Sequence, residues 1–78
     1  MQVMENLTLY IRRGCHLCDQ ARRLLGAEQL SVRLVDIDQQ AELKARYDWL
    51  VPVLYRADRD RELCYPFDRE ALLHFLQP

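Results

Sequence analysis

Two cysteines separated by two residues, Cys15-His16-Leu17-Cys18, are the part of this sequence best equipped for chemistry. On a helix, positions three apart share a face, so the two sulfurs can approach each other. Such a pair can cycle between dithiol and disulfide, or supply half of a metal site. Zinc takes four ligands, commonly as two close pairs. The remaining candidates here are Cys64, His16 and His74, and none makes a second pair. Dithiol redox chemistry is therefore preferred over a zinc half-site or an inert pair. Three cysteines, an odd number, without a secretion signal also argue against a stapled extracellular scaffold.

The neighbours of the pair assign roles. Leu7-Thr8-Leu9-Tyr10-Ile11 is rich in strand formers, and Arg12-Arg13-Gly14 ends it. Cys15 to Leu25 has helical spacing through Leu17, Ala21, Leu24 and Leu25, with Gly26 as its stop. Cys15 thus falls at a helix N-terminus, where free N–H groups and the helix dipole favour thiolate over thiol. Arg12 and Arg13 push the same way and Asp19 weakly against. Cys15 is read as the exposed nucleophile, and Cys18 as the buried, protonated thiol that resolves a mixed disulfide. Arg13 and His16 are the candidates for tuning the thiol. For His16 the alternative, a solvent-exposed residue of the first turn, stays open.

The elements that hold this pair follow from periodicity. Ser31 to Ile37 reads as a second strand. Asp38 caps a short helix through Tyr47, and Asp48 stands where a helix often ends in a left-handed residue. Val51 to Arg56 is a third strand with Pro52 at its start, a position that needs no N–H donor. Ala57 to Arg61 is a polar turn and Glu62 to Tyr65 a fourth strand, giving an antiparallel hairpin. Pro66-Phe67 breaks it. Asp68 then caps a last helix from Arg69 to Gln77, with Glu70 in its first turn. The order β-α-β-α-β-β-α predicts an α/β sandwich. Its four-stranded mixed sheet has helices on both faces, and its first two strands are parallel with a right-handed crossover. Cys64 is expected to be a small buried strand residue rather than a third redox thiol. Trp49 is expected in the core, with Leu50 giving an apolar rim to a groove.

A Cys-x-x-Cys between a strand and a helix, with Val51-Pro52 opening a later strand, resembles the thioredoxin superfamily. That resemblance implies a cis-Pro loop facing the dithiol. The loop would present the backbone of Val51 to an extended substrate, and Pro52 would shield the sulfurs from metal. Within the superfamily the chain is most similar to glutaredoxins and short bacterial glutaredoxin-like proteins, from about Leu7 to Leu76. No βα unit precedes the first strand, Arg12 stands three residues before the first Cys, and Leu9 occupies the place of the buried acid of thioredoxins. The resemblance implies that Arg12, Val51 and the last helix's N-terminus at Asp68 bind substrate. The sequence departs from the glutaredoxin pattern at Tyr65-Pro66-Phe67-Asp68, where glycines usually precede the acid. Pro66 offers no N–H and Tyr65 adds bulk, so specific glutathione binding is expected to be weak or absent.

Composition bounds the rest. The chain has 78 residues, 50 % of them hydrophobic and 29 % charged, with a net charge of −1. This is the signature of a single globular domain, residues 1–78, rather than a disordered chain. The charge gives no global attraction for nucleic acid, and no apolar run approaches a membrane span. Met1 to Asn6 does not read as a signal peptide. The expected protein is a cytoplasmic, monomeric thiol–disulfide oxidoreductase that reduces or exchanges disulfides of a protein or a small thiol. It has no tightly bound cofactor, and glutathione is one candidate reductant. The alternatives are a non-catalytic peptide-binding module on the same fold, or a metal or iron–sulfur carrier, against which the second Cys counts.

Overall fold

The computed structural model describes residues 3–78, with side chains from Asn6 onward; of the N-terminal stretch, Met1 and Gln2 lie outside the described residues. The elements are β1 (Val3–Ile11), α1 (His16–Ala27), β2 (Ser31–Asp36), a single 3₁₀ turn (Ile37–Gln39), α2 (Ala41–Tyr47), β3 (Val53–Arg56), β4 (Arg61–Cys64) and α3 (Arg69–Phe75). The sheet order is β2-β1-β3-β4. β1 and β2 are parallel, as a helical crossover requires. β1 and β3 are antiparallel with Tyr10 opposite Val53, and β3 and β4 form the hairpin.

Strand alternation divides the core in two. Leu7 and Leu9 on β1 and Leu54 on β3 point to one face and are fully buried there. They meet Ala21 and Leu25 of α1, Leu72 of α3 and Phe67. Tyr10 and Val53 point to the opposite face, where Ile37 and Tyr47 complete a second cluster. The Tyr10 and Tyr47 rings stack there with centroids 4.6 Å apart. The helices thus cover both faces of a four-stranded mixed sheet, the expected sandwich.

Several boundaries differ from expectation for local reasons. α1 runs past Gly26 to Ala27. It ends in a Schellman motif in which Gln29 takes the left-handed conformation (φ 58°), Gln29 N donates to Gly26 O and Leu30 N to Leu25 O. Asp36, not Asp38, caps the turn after β2, accepting from Asp38 N at 2.9 Å. α2 starts only at Ala41, behind Gln40, which makes no side-chain cap. Asp48 keeps right-handed helical angles rather than left-handed ones, so the chain continues its turn into Trp49. β3 starts after Pro52, and β1 begins at Val3, because Ser31 of β2 pairs with it.

Two side chains sit opposite to expectation. Trp49 is 94 % exposed, not core. Tyr47 takes the inward position at the end of α2, and a residue two further along a helical turn lies on roughly the other side. Cys64 is exposed rather than buried. Leu63 faces the α1/α3 core, so Cys64 points to the other face on the edge strand.

Candidate active site

The site is built where β1 ends. Gly14 has φ 69°, a left-handed conformation that costs a side-chain-bearing residue about 1 kcal/mol or more. This turn brings Cys15 in as the N-cap of α1, with extended backbone (φ −96°, ψ 110°). An N-cap side chain ordinarily offers an oxygen to the free N–H groups of the first turn. Here the Cys15 Sγ does so, accepting from Cys18 N at 3.1 Å. The Cys15 carbonyl accepts from Asp19 N at 3.2 Å.

The two sulfurs have different surroundings. Cys15 is half-buried, whereas Cys18 is 2 % exposed. Burial, and then the hydrogen bond to Cys15, push the Cys18 thiol up to about 12, although the backbone N–H of Arg12 pulls the other way. Cys18 therefore holds its proton at neutral pH.

Arg12 is engaged through all three guanidinium nitrogens. Its Nε and Nη2 donate to the two oxygens of Asp38, each at 3.0 Å, in a bidentate pair. Nη2 also pairs with the Asp48 carboxylate, and Nη1 donates to the Asp48 carbonyl at 3.3 Å. The bond to Arg12 holds the Asp38 carboxyl below its usual range. Arg12 thereby ties the thiol loop to the end of α2. Asp38 and Asp48 lie 26 and 36 residues from Arg12, a separation at which charge pairs leave no local signal in the sequence. Arg13 is 90 % exposed, with Nε 3.9 Å from Asp36. His16 is exposed at the first position of α1.

The Val51–Pro52 peptide bond is cis and Pro52 is buried. The Pro52 carbonyl accepts from Tyr65 N at 3.1 Å, and the Tyr47 carbonyl accepts from both Leu50 N and Val51 N. Asp68 caps α3, accepting from Ala71 N at 2.8 Å, and none of its hydrogen bonds reaches Cys15 or Arg12. The segment between β4 and α3 carries a second cis bond, Tyr65–Pro66. It is fixed by Tyr65, whose hydroxyl bonds Gln20 at 3.0 Å and whose ring meets Phe67 edge-on. Among the described residues, no group of three or more His, Cys, Asp or Glu converges as a metal site would require.

Residues 6–77 match the model of the glutaredoxin-like domain (DUF836). The chain belongs to this glutaredoxin-like family. Its fold is thioredoxin-like, shared with solved structures of similar length. The X-ray structure of target protein XcR50 from X. campestris has a TM-score of 0.83 and 44 % identity, covering 92 % of this chain and 99 % of that one. Its solution structure gives a TM-score of 0.81 and 45 % identity over 94 % and 96 % of the two chains. Protein Ne2328 from Nitrosomonas europaea gives 0.79 and 30 % over 99 % and 96 %. No curated protein matches the glutaredoxin-like chain. No helix of the described residues is long and apolar enough to cross a membrane.

Proposed function

We propose that this glutaredoxin-like domain is a thiol–disulfide oxidoreductase that works through Cys15 and Cys18. The reading is carried by one observation: a half-buried Cys15 sulfur caps α1 while the second thiol, three residues on, lies buried. In the first step the Cys15 thiolate attacks one sulfur of a substrate disulfide. A Cys15–substrate bond forms, the substrate S–S bond breaks, and the other substrate sulfur leaves as thiolate and takes up a proton. In the second step Cys18 gives its proton to solvent and attacks the Cys15 sulfur. The Cys15–Cys18 disulfide forms and the second substrate thiol is released. Two electrons pass from the dithiol to the substrate.

The order of the steps follows exposure: the half-buried Cys15 sulfur is the one a substrate can reach first, whereas Cys18 is 2 % exposed. In this reading the Val51 carbonyl pairs with an extended substrate, since the Val51 N–H is already donated to Tyr47. A low-molecular-weight thiol such as glutathione, or a dithiol reductase, resets the pair, and no bound cofactor takes part. We place the protein in the reducing cytoplasm as a monomer.

The test is trapping. Cys18→Ser is expected to accumulate a mixed disulfide at Cys15 on addition of a disulfide substrate, and Cys15→Ser to abolish exchange. Accumulation at Cys18 in Cys15→Ser, with no adduct at Cys15 in Cys18→Ser, contradicts the assigned roles.

A further inference from the structure

We propose that the disulfides this site acts on are carried by polypeptide segments, which dock across Leu17, Leu50 and above all Trp49. This rests on the dithiol reading above. Among the described residues five large hydrophobic side chains are exposed: Leu17, Leu34, Trp49, Leu50 and Leu73. Three of these five lie within three residues of Cys15, Cys18 or Pro52. A single exposed Leu means little, but a Trp that is 94 % exposed gains nothing from folding.

The segment that carries Trp49 is held in place. The Tyr47 ring is buried against Tyr10, and its carbonyl accepts from Leu50 N at 2.9 Å and Val51 N at 3.2 Å. Asp48, next to Trp49, is bound by Arg12 through both its carboxylate and its carbonyl. Because Tyr10 on β1 lies opposite Val53 on β3, the thiol loop and the segment entering β3 leave the same end of the sheet side by side. The Arg12–Asp48 contact closes the gap between them. The backbone that carries Trp49 is thus held at the end of the sheet from which the thiol loop leaves. A Trp on a backbone already held loses little conformational entropy when a partner covers it, since only two side-chain torsions are fixed.

Charge favours the same occupant. The guanidinium of Arg12 is spent on Asp38 and Asp48, and Arg13 lies near Asp36. With Lys44, which also acts on Asp38, three cations balance three carboxylates at this end of the sheet. A small anionic thiol compound gains nothing from that balance. A peptide segment brings apolar side chains for Trp49 and Leu50, and backbone for the Val51 carbonyl. Arg12 acts here as a positioning residue, and Trp49 as the specificity-determining contact.

The experiment mixes fully reduced protein with a peptide that carries an intermolecular disulfide beside an apolar residue or, separately, with oxidised glutathione. Each rate constant is measured for the wild type, Trp49→Ala and Trp49→Phe. The wild type is expected to react faster with the peptide. Trp49→Ala should lower the peptide-to-glutathione rate ratio about tenfold, as loss of an aromatic anchor does, and Trp49→Phe should restore most of it. A ratio unchanged by Trp49→Ala overturns the proposal. So does a wild type that prefers oxidised glutathione. Absence of reaction with either disulfide in the wild type refutes the dithiol reading itself. A second readout needs no turnover, because Trp49 is the only Trp in the chain. Its emission should shift to shorter wavelength when Cys18→Ser is trapped with the peptide; unshifted emission in that adduct overturns the docking.

Discussion

Removing one oxygen from the second core tests how the fold holds its site. Tyr47 is 2 % exposed, its ring stacks on Tyr10, and its hydroxyl donates to Glu62 at 2.8 Å. In Tyr47→Phe the ring and the stack remain and only that hydrogen bond is lost. A hydrogen bond to a charged partner contributes about 1.5–3 kcal/mol. Glu62 keeps Arg46 at 2.8 Å and some access to water, so its carboxylate is not stranded and the loss belongs at the low end, about 1.5 kcal/mol. For a domain of this size that lowers Tm by roughly 6–12 °C. The effect carries a pH signature. Burial, and then the bond to Glu62, raise the Tyr47 phenol above its ordinary value of 10.0. Above pH 10 the unfolded chain gives up this proton while the native chain keeps it, so stability falls as pH rises. Tyr47→Phe has no such proton. Urea titrations from pH 7 to pH 11.5 should therefore show the wild type more stable at neutral pH, with its advantage shrinking above pH 10 and then reversing. A loss above about 3 kcal/mol at neutral pH would mean that the ring itself had moved. A difference independent of pH would refute the claim that the buried phenol is held protonated.

Other substitutions read single features. Gln29→Gly relieves the left-handed residue after α1 and should stabilise the domain by about 0.5–1 kcal/mol after the greater freedom of an unfolded glycine is counted; urea midpoints check this. Gly14→Ala meets no atom within 4 Å yet must hold φ 69°, so it should destabilise by about 1 kcal/mol and slow trapping at Cys15, read by alkylation rate. Cys18→Ala should flatten the alkaline limb of the reduced protein's stability. The native Cys18 thiol keeps its proton to about pH 12 whereas the unfolded one loses it near 9.0, and equal slopes in the two proteins would contradict the burial argument.

The architecture was legible because its signals are local. The alternating Leu7, Leu9 and Ile11, the 3–4 spacing after Cys15 and the Asp68 cap each announce an element within a few residues. The short polar link between β3 and β4 leaves only a hairpin. The dithiol's place at the head of α1 was legible for the same reason. What failed to show was tertiary or sterically atypical. Gly26 resembles a helix stop, but the left-handed position fell to Gln29, which sequence rules do not favour there. Arg12 resembles a free cation until Asp38 and Asp48 arrive from distant segments. Trp49 resembles core because Trp usually is, but Tyr47 already fills the inward position. Cys64 shares the alternation of a buried strand, yet β4 is an edge strand on which Leu63 packs into the α1/α3 core while Cys64 stays exposed.

The central claim is that Cys15 and Cys18 form a reversible redox pair in which Cys15 meets the substrate. Equilibrating the protein in thiol–disulfide buffers of stepped potential, quenching with an alkylating agent and mapping the labelled cysteines by mass spectrometry tests it most directly. The account predicts that Cys15 and Cys18 lose label together in one two-electron transition, with Cys64 labelled throughout and Cys15 alkylated first in the reduced protein. Independent loss of label from the two cysteines, or a disulfide that joins either of them to Cys64, would contradict it.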